Sequence, residues 1–158
     1  MILYTLHNNG YIDFSEKVKL FPKEKFNMYV NFTNRCNCNC TFCLRHLKND
    51  HKLWLKDGEP SLEEIKQAFL NAPMENVADI VICGFGEPTM RLDDLVKLLT
   101  FLQQTYPSIK VRMNTNGLSD LEYGKKTAML FKGLLNTISI SLNESTSEKY
   151  LEVTRSRF

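Results

Sequence analysis

Four times between residues 26 and 158, a short apolar run gives way to a stretch whose apolar residues recur every three or four positions. The first pattern suits a strand and the second a helix. Strand then helix, repeated, demands a parallel sheet, because parallel neighbours cannot be joined by a tight turn and need a helix-length crossover. Strands are expected at residues 28–33, 77–83, 109–114 and 137–142. The first helix should begin near Ser61, where Ser61 and Glu64 form a capping box, with Leu62, Ile65 and Phe69 as one stripe and Pro73 beyond its end. A second, 92–105, carries Leu92, Leu95, Val96, Leu99 and Leu102 and stops before Pro107. A weaker helix is expected at 120–132, and Ser145 with Glu148 starts a last one.

Side-chain alternation decides between a flat and a curled sheet. In the last strand Ile138, Ile140 and Leu142 share one face while Ser139, Ser141 and Asn143 share the other; in the strand before it, Val111 and Met113 oppose Arg112 and Asn114. A flat sheet sandwiched by helices wants both faces apolar, whereas a curled sheet around a polar ligand wants one polar, concave face. The second picture fits, so the expectation is an α/β fold with about four βα units curled into a partial (βα) barrel. Ahead of it, residues 2–6 and 11–14 read as an N-terminal β-hairpin around the Asn9-Gly10 turn signal. The Lys-rich segment 17–25, broken by Pro22 and flanked by Glu16 and Glu24, reads as a solvated connector. Residues 1–25 are thus hairpin and connector, and 26–158 the core.

The most unusual chemistry is the segment Thr-Asn-Arg-Cys-Asn-Cys-Asn-Cys-Thr-Phe-Cys-Leu-Arg at 33–45, which spaces Cys36, Cys40 and Cys43 as CxxxCxxC. Thiolates are soft ligands for iron–sulfur clusters, Cu(I) or zinc, and a loop this short can wrap one inorganic core. Three protein ligands on an iron–sulfur cube would leave one iron free for a reactant. Four of the five cysteines crowd between Cys36 and Cys43, too close to staple a fold, which argues for a reducing compartment. The chain of 158 residues suits one domain, and its net charge of +2 provides no basic field of the kind nucleic acids require. The opening Met-Ile-Leu-Tyr-Thr-Leu is too short for a signal-peptide core, no apolar run reaches membrane-spanning length, and a cytoplasmic protein is expected by elimination.

In parallel α/β folds ligands bind beyond the carboxyl ends of the strands. The cysteine loop follows the first expected strand, Gly84-Phe85-Gly86-Glu87-Pro88 the second, Asn114-Thr115-Asn116-Gly117 the third, and Ser141-Leu142-Asn143 ends the fourth. Through these four stretches the chain resembles the radical SAM superfamily, and most of all the small radical SAM proteins associated with TatD-type nucleases. That resemblance covers most of residues 31–157.

It implies a partial (βα) barrel of the radical SAM type, normally of about six units, so the core is expected to be incomplete at its C-terminal side, with its last strand an exposed edge. It also implies that Cys36, Cys40 and Cys43 hold three irons of a [4Fe–4S] cluster whose fourth iron is chelated by S-adenosyl-L-methionine. Reductive cleavage would release a 5'-deoxyadenosyl radical that abstracts hydrogen from a substrate. Glu87 and Gly86 match the motif that meets the methionine ammonium, although Phe85 stands where the family usually has glycine. Asn114, Thr115, Ser141 and Asn143 match positions that bond the ribose or the methionine carboxylate, and Phe42 one that lies against the adenine. As partners it implies a small low-potential electron donor of flavodoxin or ferredoxin type and an unknown substrate; a homodimer through the bare edge is a further expectation.

Simpler readings accompany each residue. Phe42 could equally pack within the loop, and Gly84 to Pro88 could be a turn with a solvated Glu87. Arg112 could pair with a carboxylate or sit beside Asp79. Cys38 is expected to point away from the cluster, and Cys83 to pack as a small apolar group. His46 and His51 fit a surface role, while Trp54 and Leu55 cover the loop. The competing functions are a four-thiolate zinc site, whose usual widely separated knuckles are missing, and an iron–sulfur electron carrier, which would leave the other three loops without purpose.

Overall fold

The computed structural model describes residues 1–47 and 52–158. The chain begins with two strands, β1 (Leu3–His7) and β2 (Gly10–Asp13), and a short helix, α1 (Phe14–Leu20). Strand β3 (Phe26–Val30) leads into the cysteine loop, the single-turn helix α2 (Leu44–Leu47) and helix α3 (Leu62–Leu70). Then β4 (Val77–Ile82), α4 (Leu92–Thr105), β5 (Lys110–Thr115), α5 (Ser119–Tyr123), β6 (Thr137–Ile140) and α6 (Ser147–Thr154) follow. All six strands form one sheet in the order β2-β1-β3-β4-β5-β6, with β3 to β6 parallel and the hairpin antiparallel on β3. This is the mixed α/β sheet of a partial βα barrel, and its four strand-helix units are those the alternation predicts.

The elements form for local reasons and are held by one large core, with a smaller cluster of Tyr4, Leu53 and Phe85 packed against Tyr29. Ser61 and Glu64 make the full capping box on α3, with each side chain bonded to the other's backbone. Ile65 and Phe69 of α3, together with Leu92, Leu95, Leu98, Leu99 and Leu102 of α4, pack on Met28, Val30, Ile80, Ile82, Val111 and Met113. Every one of those strand residues comes from the same face of the sheet. The opposite face carries half-buried Tyr29, Arg112 and Asn114 and exposed Ser139, in adjacent register. One face is therefore apolar and, from β3 to β5, helix-covered; the other is apolar at Tyr29 and buried Val81 and polar from Arg112 to Ser139, the part in which the side-chain alternation of β5 and β6 places it.

Four expectations shift. The hairpin turn lies at Asn8 and Asn9, with φ of 47° and 61°, and Gly10 pairs with His7 inside the strands. Both central residues of a type I′ turn need positive φ, which Asn tolerates, so a reading centred on Asn-Gly is displaced by one residue. Half of the expected connector is helical: Asp13 caps α1 by accepting from Ser15 N (2.9 Å) and Glu16 N (3.3 Å), and Phe14 and Val18 enter the core. The expected helix at 120–132 breaks at Gly124, which takes the left-handed conformation, and resumes only as a 3-10 turn at Ala128–Phe131. The last helix is capped not by Ser145 but by Thr146, whose hydroxyl accepts from Lys149 N at 3.3 Å. Neighbouring hydroxyl residues leave the cap ambiguous in sequence, and the packing of α6 selects one.

Strand β6 has a neighbour on one side only among the described residues, and its apolar stripe is open: Ile140 is 64% and Leu142 83% exposed. Leu99→Ala in the centre of α4 should cost about 2–5 kcal/mol in urea unfolding, while Leu142→Ser should stay within about 0.5 kcal/mol.

Candidate functional site

The cysteine loop has no regular structure of its own between β3 and α2, so its shape is imposed by neighbours. Glu59 grips its start: one carboxylate oxygen accepts from the Thr33 hydroxyl, from Asn34 N at 3.1 Å and from Arg35 N at 3.3 Å, and the other pairs with Arg35 Nε at 3.1 Å. Burial works against the Glu59 charge, but the Thr33 hydroxyl, Arg35 and the two backbone donors outweigh it and hold the carboxyl below its usual range. The middle of the loop is held by α6. Asn39 N donates to Thr154 O and Thr41 N to Val153 O, both at 2.9 Å, and Arg157 N reaches Asn37 O at 3.2 Å. Neither Glu59 nor α6 carries a motif signal, and no periodicity in the sequence announces this role.

Gly86 explains how the loop after β4 comes so close. A β-carbon there would collide with Thr33 O and lie 2.6 Å from Arg35 O, so only glycine permits the cysteine loop to lie against it. Glu87 N then donates to Arg35 O at 2.8 Å. Glu87 is 4% exposed, and both its carboxylate oxygens accept hydrogen bonds. Oε1 accepts from Thr89 N (3.1 Å), the Thr89 hydroxyl (2.8 Å) and the Thr115 hydroxyl (2.7 Å), and Oε2 from Asn116 N (2.7 Å). Asn116 in turn donates to Asn37 Oδ1 at 2.6 Å. Three strand-end loops are thus bonded through one residue, two by its carboxylate and the cysteine loop by its backbone N–H.

Between these loops lies a cavity of about 200 Å³. Cys36, Cys40, Phe42, Gly86, Glu87, Asn114, Thr115, Ser141 and Asn143 all line it, which gathers nine of the ten residues singled out in the sequence. Cys43 sits one tight turn away, its N–H donating to Cys40 O at 3.1 Å. Phe42 stands at the rim, 48% exposed. Ser141 is exposed and fixed through its N–H to Thr115 O at 2.9 Å. The Thr115 hydroxyl is turned to Glu87, so it acts by positioning that carboxylate. Asn114 Oδ1 is buried with no partner.

The two extra cysteines differ from expectation. Cys38 and Cys83 line the same cavity rather than packing away from it. Cys38 is buried and accepts weakly from Asn116 Nδ2 at 3.5 Å; Cys83 ends β4 on the polar face, beside Asn114, where the strand's alternation turns it inward. Arg112, on that same face two residues before Asn114, has no hydrogen bond or ion pair among the described residues, and Asp79 does not pair with it. His46 is exposed and paired with Asn39 Oδ1 at 2.8 Å, and Leu55 is buried beside half-exposed Trp54, as expected. His51 lies outside the described residues.

The thiols are electrostatically unequal. Cys36 is lowered to about 7, chiefly by a hydrogen bond from the Cys38 side chain, against burial and the charge of Glu87. Cys38 is driven up by the same bond, and Cys40 and Cys83 are raised by burial.

The match to known proteins agrees with this geometry. The family model of the radical SAM superfamily matches residues 30–158, and the chain belongs to that superfamily. The superfamily's cofactors are a [4Fe–4S] cluster and S-adenosylmethionine. Among characterised relatives, GTP 3',8-cyclase of Paenarthrobacter nicotinovorans is 29% identical over 143 residues, covering 89% of this chain and 38% of that protein. A 7,8-dihydro-6-hydroxymethylpterin dimethyltransferase of Methanocaldococcus jannaschii is 33% identical over 128 residues, 77% of this chain and 23% of that protein. A probable GTP 3',8-cyclase of Thermococcus kodakarensis is 29% identical over 135 residues, 85% and 40% respectively. The chain therefore spans less than half the length of these relatives. No helix among the described residues is long and apolar enough to cross a membrane.

Because only the thiolate is nucleophilic, the lowered Cys36 should react first in the metal-free chain. Iodoacetamide labelling of Cys36 should climb through about pH 7, while Cys38, Cys40 and Cys83 label only above about pH 9, beyond the ordinary thiol range. Peptide mapping by mass spectrometry across that range reads the order directly.

Proposed function

We propose that this chain is the cofactor-binding portion of a radical SAM enzyme, with Cys36, Cys40 and Cys43 as the three cluster ligands. The observation that carries the reading is the convergence of the loops after four consecutive parallel strands on one cavity holding two of those thiols, Glu87 and Asn114. The donor set fits the group. Three soft thiols in one short loop suit iron and sulfide, and the orphaned Asn114 Oδ1 is an acceptor suited to a ribose hydroxyl or an ammonium. Bound there, the cluster supplies the electron that cleaves S-adenosylmethionine and yields a 5'-deoxyadenosyl radical able to take hydrogen from a substrate.

The chain's own residues bind and orient. Oε1 of Glu87 is saturated by three protein donors, whereas Oε2 has one, so Oε2 is the atom left to receive the methionine ammonium. Thr89, Thr115 and Asn116 fix that carboxylate beforehand. Gly86 admits the cofactor's approach through its backbone, Ser141 and Asn143 close the side toward β6, and Phe42 offers its ring at the rim to the adenine. A small low-potential donor of flavodoxin or ferredoxin type would deliver the electron, in a reducing cytoplasm.

A structural zinc site is the rival reading. Zinc knuckles are usually two pairs of ligands separated by a longer stretch, whereas Cys36, Cys38, Cys40 and Cys43 lie within eight residues.

Anaerobic reconstitution with iron and sulfide should give a brown protein that releases 5'-deoxyadenosine from S-adenosylmethionine under strong reductant. Cys40→Ala should lose most of both, and a variant that retains cluster and product would refute the assignment, as would a colourless protein that keeps zinc. The bare edge of β6 supports a homodimer, so light scattering should give twice the chain mass; a monomer at high concentration would exclude that arrangement.

A further inference from the structure

Two buried donors near the cysteines have nothing to donate to. The Tyr150 hydroxyl and Arg45 Nε are both closed off from solvent and without a hydrogen-bond partner among the described residues. Buried polar groups are normally satisfied, so an orphan marks something that must be supplied. Tyr150 is in α6, three and four residues before Val153 and Thr154, whose carbonyls accept from Thr41 N and Asn39 N. The end of α6 thus lies on the cysteine loop, and Tyr150 is one helical turn back from it. Arg45 sits two residues after Cys43, and its Nη2 donates to Cys38 O at 3.2 Å, pinning the guanidinium to the same loop from the α2 side.

The kind of atom missing follows from the kind left over. Arg45 Nε can only give a hydrogen bond and the Tyr150 phenol has one to give, and what the loop would collect around them is acceptor sulfur, as thiolate and sulfide. Cys38, Cys40, Cys36 and Glu87 all lie close enough to act on the phenol, and an ordinary phenol keeps its proton at neutral pH, so Tyr150 is a donor there.

We propose that the Tyr150 phenol, together with Arg45 Nε from α2, donates a hydrogen bond to sulfur at the cluster site and thereby sets the potential at which that site accepts an electron. The inference rests on the reading that Cys36, Cys40 and Cys43 hold an iron–sulfur cluster. Hydrogen bonds to the sulfurs stabilise the extra negative charge of the reduced form and are among the levers that set such potentials. Tyr150 and Arg45 are thus positioning residues.

The test uses the full chain reconstituted anaerobically. Tyr150→Phe removes one oxygen, and should leave iron content and thermal midpoint unchanged while moving the cluster potential to more negative values in a spectroelectrochemical titration. The iron–sulfur stretching bands of the wild-type chain should shift on transfer to deuterium oxide, and that shift should shrink in Tyr150→Phe. Arg45→Gln, which leaves α6 untouched, should lower the potential in the same sense, and Arg45→Lys should restore part of it. Should Tyr150→Phe destabilise the fold, 3-fluorotyrosine at this position keeps the shape, and its more acidic phenol should raise the potential. Unchanged potential and unchanged deuterium sensitivity in these variants overturn the proposal and leave Tyr150 a packing residue. A wild-type chain that takes up no iron overturns the cluster reading itself, a separate result.

Discussion

The site depends on one buried carboxylate. Glu87 takes four hydrogen bonds from the β4 and β5 loops, while its own N–H holds the cysteine loop through Arg35 O. A buried carboxylate is costly unless its oxygens are bonded, so the loops cannot separate without exposing it unpaired. That penalty makes Glu87 a clamp as well as a ligand candidate. Gly86 beside it is the steric half of the same device, since the contact between the loops tolerates no side chain there.

The cysteine loop contributes chemistry and little structure. Its conformation is borrowed from Glu59 at its start and from the end of α6 at its middle, two elements far apart in the chain. Arg157 adds an ion pair to Glu122, whose other oxygen accepts from Asn37 Nδ2 at 3.1 Å. Residues near position 157 therefore fix the geometry of thiols near position 40. A three-thiolate centre needs this support, because a flexible loop would pay ordering entropy each time it gathered its ligands.

The strand-helix alternation, the two faces of β5 and β6 and the capping box at Ser61 were all legible in sequence, because they are periodic or local. The four strand-end loops were legible as well, since a parallel sheet places them at one edge whatever the details. What escaped was contact between distant parts. Helix α1 was hidden because Lys17, Lys19 and Pro22 dominate the composition while only Phe14 and Val18 face inward. Cys38 and Cys83 were assigned outward or inert positions, yet both reach the cavity, as the irregular loop does not keep a strict alternation and Cys83 follows the polar face of β4. Thr115 matched a ligand position by motif, but its hydroxyl is committed to Glu87.

By itself the sequence determined the class of fold, the crowding of soft thiols in one loop and the set of loops that surround it, since spacing along the chain and burial of alternate residues are one-dimensional constraints. Only the tertiary structure decided which polar atoms those loops satisfy among themselves and which they leave open. That division depends on hydrogen bonds spanning from about 28 residues, as between Thr115 and Glu87, to more than 110, as between Thr41 and Val153. No local pattern encodes distances of that kind. Among the described residues the buried side-chain atoms left unsatisfied are Asn31 Oδ1, Asn114 Oδ1, Tyr150 Oη and Arg45 Nε, and Asn114 lines the cavity itself.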